Sequence, residues 1–372
     1  MYRRLLDLLR CPHCGTPFEV HALGPEAAGG EIEAGLLRCA GGHWYPVAGG
    51  IPRLLPDALD EHWAALAPLV EASPSPALAD LRSRAAKGTA AAYDRQTRAN
   101  FSSEWDYHEV GDKTWGMALD DRVRWFFLDP LGIPQDQLAG KVVLDAGCGN
   151  GSQSVAYTAF GTEVVAVDIS SGLERGHAYR HRHPGARPDR VHFVQADLQA
   201  PPLAPASVDV IHSSGVLHHT PSTERTFRGL VPLLKPGGTF YTWLYKREPV
   251  VTPVVNGIRR VTTRLPSPVF ARVAGVMAPA FMGFCWAVDR LGIRKYPPLA
   301  RREAALALLD IFGAPYAHYH SYPEVAGWYA SEGFVEVWPC NDDRRGFGAC
   351  GRLAPAGERP QAAPAAEVAG PS

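Results

Sequence analysis

The chain has 372 residues, 46% of them hydrophobic, with 37 basic against 38 acidic side chains and a formal net charge of −1. That length predicts two or three domains with a sizeable core. The near-neutral balance excludes a global electrostatic field for nucleic acid or membrane.

The N-terminal stretch has no signal pattern, since Arg3 and Arg4 lead into only a short leucine-rich run before Cys11. Seven cysteines, three within the first 39 residues, are an odd total. That argues against a disulfide framework and predicts a reducing cytoplasm. Cys11-Pro12-His13-Cys14 is a C-x2-C knuckle, and Cys39 and His43 form a C-x3-H pair. Two close pairs of soft or borderline ligands match tetrahedral structural zinc at Cys11, Cys14, Cys39 and His43. A module this small also needs such a staple. The flanks, Leu5 to Pro12 and Tyr45-Pro46-Val47-Ala48-Gly49-Gly50-Ile51-Pro52, resemble the zinc-ribbon proteins that partner tRNA and protein methyltransferases. The C-x3-H pair is more similar to ribbons fused to rRNA guanine methyltransferases. The resemblance implies scaffolding or substrate docking for residues 1–56, because a closed four-ligand site leaves no position for chemistry.

Residues 57–92 are rich in Ala and Pro and read as a tether with some helix. Phe101, Trp105, Tyr107, Trp115 and Trp125 then give an aromatic-dense segment. It is either a helical cap over a ligand or ordinary helix packing. Lys141 to Gly151 carries the most specific signal: the apolar run Val142-Val143-Leu144 ends in Asp145, followed by Gly147, Gly149 and Gly151. This predicts a buried strand breaking into a tight loop that a ligand approaches closely. An acid directly before the glycines suits a cationic ligand better than a pyrophosphate. Thr162 to Asp168, Val191 to Asp197, Val208 to His212 and Thr239 to Leu244 read as further strands, with helical segments between the earlier ones. Gly333 to Trp338 and Gly346 to Leu353 read as the last two. The fold class is therefore α/β, a doubly wound, mostly parallel Rossmann-like sheet with ligands at the carboxyl ends of its strands.

Asp145, Asp168 and Asp197 at strand ends, with Lys235-Pro236-Gly237-Gly238, resemble the class I S-adenosylmethionine-dependent methyltransferases. That resemblance covers residues 100–245. It implies that Gly147, Gly149 and Gly151 pass under the methionine part of S-adenosylmethionine and that Asp145 orients the loop and faces the cationic end. It places ribose at Asp168 with Ile169, and the adenine amino group at Asp197 with Leu198. Ser214 belongs to the same cofactor site. A similar Phe-x-x-x-Trp then Thr segment closes over the cofactor in many small-molecule members, which points to Phe101, Trp105 and Thr114. A nicotinamide-dinucleotide reading lacks its third glycine, because position 152 is Ser.

Methyl transfer to a hydroxyl or ammonium needs a base near neutral pH. His218 and His219 follow the fourth strand, where related small-molecule enzymes often carry His-His. His219 is the favoured base, against a structural turn histidine; Asp310, His318 and His320 are second-line candidates. Residues 246–303 hold eleven Lys/Arg against three Asp/Glu, around an uncharged run from Val273 to Val288. Three readings of this insert stay open: a lid over a greasy substrate, an interfacial membrane helix, or homodimer or core packing. The expected organisation is a ribbon at 1–56, a tether at 57–92, the core with aromatic leading helices at 93–247 and the helical insert at 248–303. The end of the catalytic domain at 304–353 and a disordered tail at 354–372 complete it. The expected partner is a small, hydrophobic or aromatic biosynthetic intermediate. RNA is the alternative, resting on the ribbon and the basic insert. The strand-four sequence is not the Asn-Pro-Pro-Tyr type used on exocyclic nucleobase amines.

Overall fold

The computed structural model describes residues 1–27, 29–82, 92–105, 110, 113, 114, 116–292, 299–343 and 345–357. Tyr107, Trp115, part of the expected tether (83–91), part of the insert (293–298) and the tail from 358 onward lie outside them.

Two sheets organise the chain. The first is antiparallel and orders β1 (Phe18–Ala22), β2 (Ala34–Cys39), β3 (Trp44–Ala48) and β4 (Ile51–Pro52). The second has seven strands: β5 (Val142–Ala146), β6 (Glu163–Asp168), β7 (Val191–Gln195), β8 (Val208–Ser214), β9 (Leu234–Tyr245), β10 (Phe334–Cys340) and β11 (Gly346–Leu353), in the order β10-β11-β9-β8-β5-β6-β7. Strands β7, β6, β5, β8 and β9 run parallel, and β11 pairs antiparallel to both β9 and β10. Val143, Leu144, Val164, Val165 and Val210 are fully buried. Burial on both faces explains their continuous apolar runs. From β5 the chain goes to β6 on one side, and β8 later pairs on the other. This reversal opens a crevice at the carboxyl ends, where ligands bind in doubly wound sheets.

The N-terminal sheet is continuous with the core. Leu5, Leu9 and Leu54 share one buried cluster with Val165, Val194 and Leu203. Arg10 N donates to Pro202 O at 2.8 Å, and Leu54 N to Gln195 O at 2.7 Å. The residues after β4 thus cover edge strand β7, whose open hydrogen-bonding groups would otherwise need protection. Within the stretch read as a tether with some helix, residues 58–72 form a 15-residue helix. Leu59, Leu66 and Val70 recur on one face and bury against Leu23 and Leu36, so tertiary packing outweighs the loose composition.

Glu31 fastens the two sheets together. Its carboxylate lies 2.5 Å from Arg180 Nη2, 3.3 Å from His177 Nε2 and 3.1 Å from the Met1 amine. Burial alone would raise this carboxyl, but His177, the Met1 amine and Arg180 hold it down at about 2. A depressed carboxyl stabilises the fold above its unfolded value and loses that contribution as pH falls through the folded one. The window is therefore about pH 4.5 down to 2, and the contribution is ~3 kcal/mol at ~1.4 kcal/mol per pH unit. Glu31→Gln is expected to be less stable at neutral pH, because Arg180 is left buried without its partner. It should also lose less stability than the parent between pH 5 and pH 2, as measured by urea unfolding at both; equal acid sensitivity would remove Glu31 from this role.

Candidate functional site

At the crevice, β5 ends and the chain folds back tightly. Gly147 N and Cys148 N both donate to Val167 O, at 2.8 and 3.0 Å, pinning the loop to β6. Gly147, Gly149 and Gly151 take φ of 88, 57 and 69°, in the left-handed region. A Cβ on Gly147 would lie 2.3 Å from Val216 Cγ2, and one on Gly149 2.2 Å from Trp105 Cζ2. The loop is therefore closed to side chains on both flanks. Trp105 comes from the leading helix Ala92–Trp105, which lies across it.

A cavity lies over this loop, about 1030 Å³ when the open solvent at its mouth is counted. Gly147, Gly149, Trp105 and Ser214 line it, as do Asp168 with Ile169 and Asp197 with Leu198. His219 and Asp310 complete the opposite wall. Asp168 Oδ2 accepts from Gly149 N at 2.8 Å; its Oδ1 accepts from Ser170 N and Oγ at 2.8 and 2.7 Å. Burial raises this carboxyl, and those hydrogen bonds pull it part of the way back. Asp197, also raised by burial, accepts from Gln199 N at 2.9 Å.

Six expected positions do not line this cavity: Asp145, Gly151, Thr114, His218, His318 and His320, the last of these held by Glu324 and Thr223. Asp145 is 3% exposed. Its Oδ2 accepts from Ser154 Oγ at 2.5 Å, and its Oδ1 lies 3.1 Å from His212 Nδ1. It braces the loop from beneath and does not face the cationic end as expected, because both oxygens are taken by the core. Gly151 caps the helix Ser152–Tyr157, and its Cα side is filled by Phe193. Thr114 is fully buried in a turn paired with Met117, so the Phe-x-x-x-Trp then Thr expectation holds its Trp at the cavity and not its Thr. His318 Nε2 lies 3.0 Å from Thr220 O, so its ring is held against the backbone of a lining residue without lining the cavity itself.

Glu104 was missed. It is fully buried on the leading helix and lines the cavity, and its Oε2 has no partner among the described residues. Burial, then the charges of Asp310 and Asp168, push its carboxyl well above the ordinary range. The signal was an acid directly before Trp105 in an aromatic segment. With Asp168, Asp197 and Asp310 it gives the cavity four carboxyl groups against one guanidinium, that of Arg122. Such a lining fits a sulfonium and an ammonium, and Gly147 and Gly149 form a cradle that a Cβ would fill.

On the far wall, His219 Nε2 lies 3.2 Å from Asp310 Oδ1, and Tyr245 donates to Asp310 Oδ2 at 2.6 Å. His219 Nδ1 lies 2.8 Å from Tyr316 O; a carbonyl only accepts, so Nδ1 carries a proton. Burial opposes ionisation of Asp310, but His219 and Tyr245 overcome it and hold the carboxyl below its ordinary value. His218 lies behind, in an adjoining chamber with Phe126, Trp243 and Tyr245. Its ring stacks on Tyr245 at 4.0 Å. Burial, aided by the neighbouring histidines, drives its pKa well below the ordinary value, so it packs as a neutral ring.

In the N-terminal sheet, the Cys11, Cys14, Cys39 and His43 ligand atoms all lie within 4.8 Å of one another. Cys14 Sγ to Cys39 Sγ is 3.6 Å, and His43 Nδ1 is 3.7 Å from Cys11 Sγ and 3.2 Å from Cys39 Sγ. Tetrahedral edges around zinc, from ligand bonds of ~2.0–2.3 Å, would be ~3.3–3.8 Å. A Cβ on Gly41 would sit 3.0 Å from Cys14 Sγ, so the loop passes close against the ligands. Thr16 is the leading cause that brings the Cys14 thiol down to about 6, toward the thiolate that metals bind.

A family described as a methyltransferase domain matches residues 144–242. The ubiquinone biosynthesis O-methyltransferase of Xanthomonas campestris pv. campestris is 33% identical over 181 residues, 46% of this chain and 74% of that protein. The chain belongs to the class I S-adenosylmethionine-dependent methyltransferases. The demethylmenaquinone methyltransferase of Clavibacter sepedonicus is 32% identical over 145 residues, 39% of this methyltransferase and 56% of that one. The magnesium protoporphyrin IX methyltransferase of Synechocystis, solved with bound S-adenosylhomocysteine, aligns at 15% identity and a TM-score of 0.38, covering 72% of this chain and 90% of that one. Several curated relatives are matched over only 26% to 56% of their own length.

Proposed function

We propose that this methyltransferase methylates a hydroxyl group on a small, largely apolar acceptor. The observation that carries the reading is the His219–Asp310–Tyr245 relay on the cavity wall, beside an aromatic chamber and opposite the glycine loop. S-Adenosylmethionine supplies an electrophilic methyl on a sulfonium that is itself a good leaving group. The loop at 147–151 would hold its methionine part, Asp168 its ribose and Asp197 with Leu198 its adenine, while Trp105 shields the site from water. With Nδ1 committed to Tyr316 O, only Nε2 of His219 can take the acceptor's proton. Asp310, fixed by Tyr245, would stabilise the imidazolium that forms. Phe126, Trp243 and Tyr245 would pack the acceptor's apolar body. The ubiquinone and menaquinone enzymes among the relatives support a small, apolar acceptor, and the O-methyltransferase of ubiquinone biosynthesis supports its hydroxyl. The test is methyl transfer from labelled cofactor to a panel of hydroxylated aromatics, aromatic amines and unmodified RNA. Label on oxygen is expected; label only on nitrogen, carbon or RNA would overturn the reading.

Cys11, Cys14, Cys39 and His43 are proposed to hold a structural zinc that sets the path of the chain into β4. From there Arg53 Nη1 donates to Gln195 Oε1 at 3.1 Å, and Gln195 Nε2 donates to Ile169 O at 3.1 Å. This line ends beside the ribose-binding acid. Chelation is expected to release zinc and weaken cofactor affinity together, measured by metal analysis and titration calorimetry. Arg53→Ala should retain zinc yet weaken cofactor binding about tenfold, the order of one charged hydrogen bond; unchanged affinity in both experiments would uncouple the ribbon from the site.

A further inference from the structure

Thirteen of the sixteen exposed large hydrophobics among the described residues lie between Val250 and Leu291. They are ordered. On the helix Val251–Thr262, the residues Val251, Val254, Ile258 and Val261 recur at helical spacing and face solvent. On the helix Ser267–Arg290, Val269, Val273, Val276, Met277 and Phe284 form a second solvent-facing stripe. The opposite face of this second helix buries Ala271, Ala274 and Ala278 against Ala304, Ala305 and Leu309 of the helix Arg301–Gly313. That helix also carries Asp310 of the proposed relay.

Charge selects the occupant. Arg260, Arg264, Arg272, Arg290 and Arg301 are exposed around these stripes, with Asp289 the one exposed acid among the described residues of 251–292. This excess stands on a chain of net charge −1. Arg290 lies over the exposed Trp286 ring at 5.7 Å, the amphipathic pairing that suits headgroup depth. A second copy across a two-fold axis would bring like arginines together, and RNA has no use for the apolar stripes. The helix Ser267–Arg290 is, by length and composition, long and apolar enough to cross a bilayer, with a mean hydropathy of 1.5 over an 18-residue stretch. One face is already packed on its own chain, however, and Arg272 and Pro279 interrupt it, so its geometry is that of a helix lying in the interface.

We infer that the two insert helices form a docking surface for an anionic lipid bilayer, with their apolar stripes in the headgroup–acyl boundary and their arginines on anionic headgroups. The surface adjoins the leading helix and the Asp310 helix. An acceptor dissolved in the bilayer would therefore reach the cavity without crossing water, a delivery role that rests on the apolar-acceptor reading; docking itself does not. The test is co-sedimentation of the full chain, without cofactor or acceptor, with vesicles of phosphatidylcholine alone or with about one quarter phosphatidylglycerol. Binding is expected to be several-fold tighter to the anionic vesicles and to weaken with salt. Phe284→Ser with Trp286→Ser should cost about tenfold in vesicle affinity while cofactor binding and far-UV circular dichroism stay at parent values. Arg260→Glu with Arg264→Glu should erase the preference for anionic lipid. Absence of vesicle binding in the parent, or variants that bind as the parent does, would overturn the proposal. So would a parent dimer in analytical ultracentrifugation that the Phe284/Trp286 variant dissociates, or tight RNA binding in place of lipid. Because no methyl transfer is measured, failure of the acceptor assignment would leave this result standing.

Discussion

Asp168→Ala is expected to lower S-adenosylmethionine affinity by ~10²–10⁴-fold while leaving the fold intact. The carboxylate sits at the end of β6 with one oxygen on Gly149 N and the other on Ser170, so it shapes the loop and offers its remaining lone pairs to the ribose hydroxyls. Two hydrogen bonds to a charged acceptor are worth ~3–6 kcal/mol together, which is two to four decades at ~1.4 kcal/mol each. Alanine also leaves the Gly149 N–H without its acceptor. Asp168→Asn keeps the shape and loses the charge, so it should fall between parent and alanine. Burial raises the Asp168 carboxyl, so cofactor affinity should begin to decline at a higher pH, coming from neutral, than an exposed aspartate would allow. Titration calorimetry of the three proteins, with circular dichroism as the folding control, measures each point. Binding by Asp168→Ala within a few-fold of the parent would remove the ribose role from Asp168 and with it the register of the whole cofactor site.

What could be read in the sequence was what depends on local order. Parallel strands buried on both faces appear as unbroken apolar runs, and the acids that close two of these runs fall at the crevice, so Asp168 and Asp197 were legible as cavity-lining acids. The glycines were legible because positive φ and close approach leave no other choice. What was hidden depends on partners distant in the chain. Asp145 is the same residue type at the same kind of strand end, yet His212, brought in by β8, and Ser154 take both its oxygens. Glu104 draws its character from burial in the folded cavity wall and then from Asp310 and Asp168, neither of them near it in sequence. Thr114 follows the aromatic segment at the expected place, but its turn pairs with Met117 and faces the core. Of the two adjacent histidines, tertiary contacts with Asp310 and Tyr316 separate His219, on the wall, from His218, packed behind it. Residues 58–72 lie within the Ala- and Pro-rich stretch 57–92 that reads as a tether with some helix, and only Leu23 and Leu36 of the preceding sheet show which face they bury.

His219→Asn is expected to reduce kcat by ~10²–10⁴-fold, the range for loss of a positioned base, with cofactor affinity close to the parent's. Asp310→Asn should approach the same loss, because the neutral amide keeps the shape but removes the charge that stabilises the imidazolium formed at Nε2. The two act on one proton, so the double variant should be little worse than either single one. Tyr245→Phe removes only the 2.6 Å hydrogen bond that fixes Asp310 and should cost about tenfold, on the order of one such bond. Asp310 is held below its ordinary range by His219 and Tyr245 against burial, so the charge that Asp310→Asn removes is present throughout the working range. If Asp310→Asn keeps the parent's kcat, no proton is taken at this wall, and the methyl acceptor is an atom that reacts without a base.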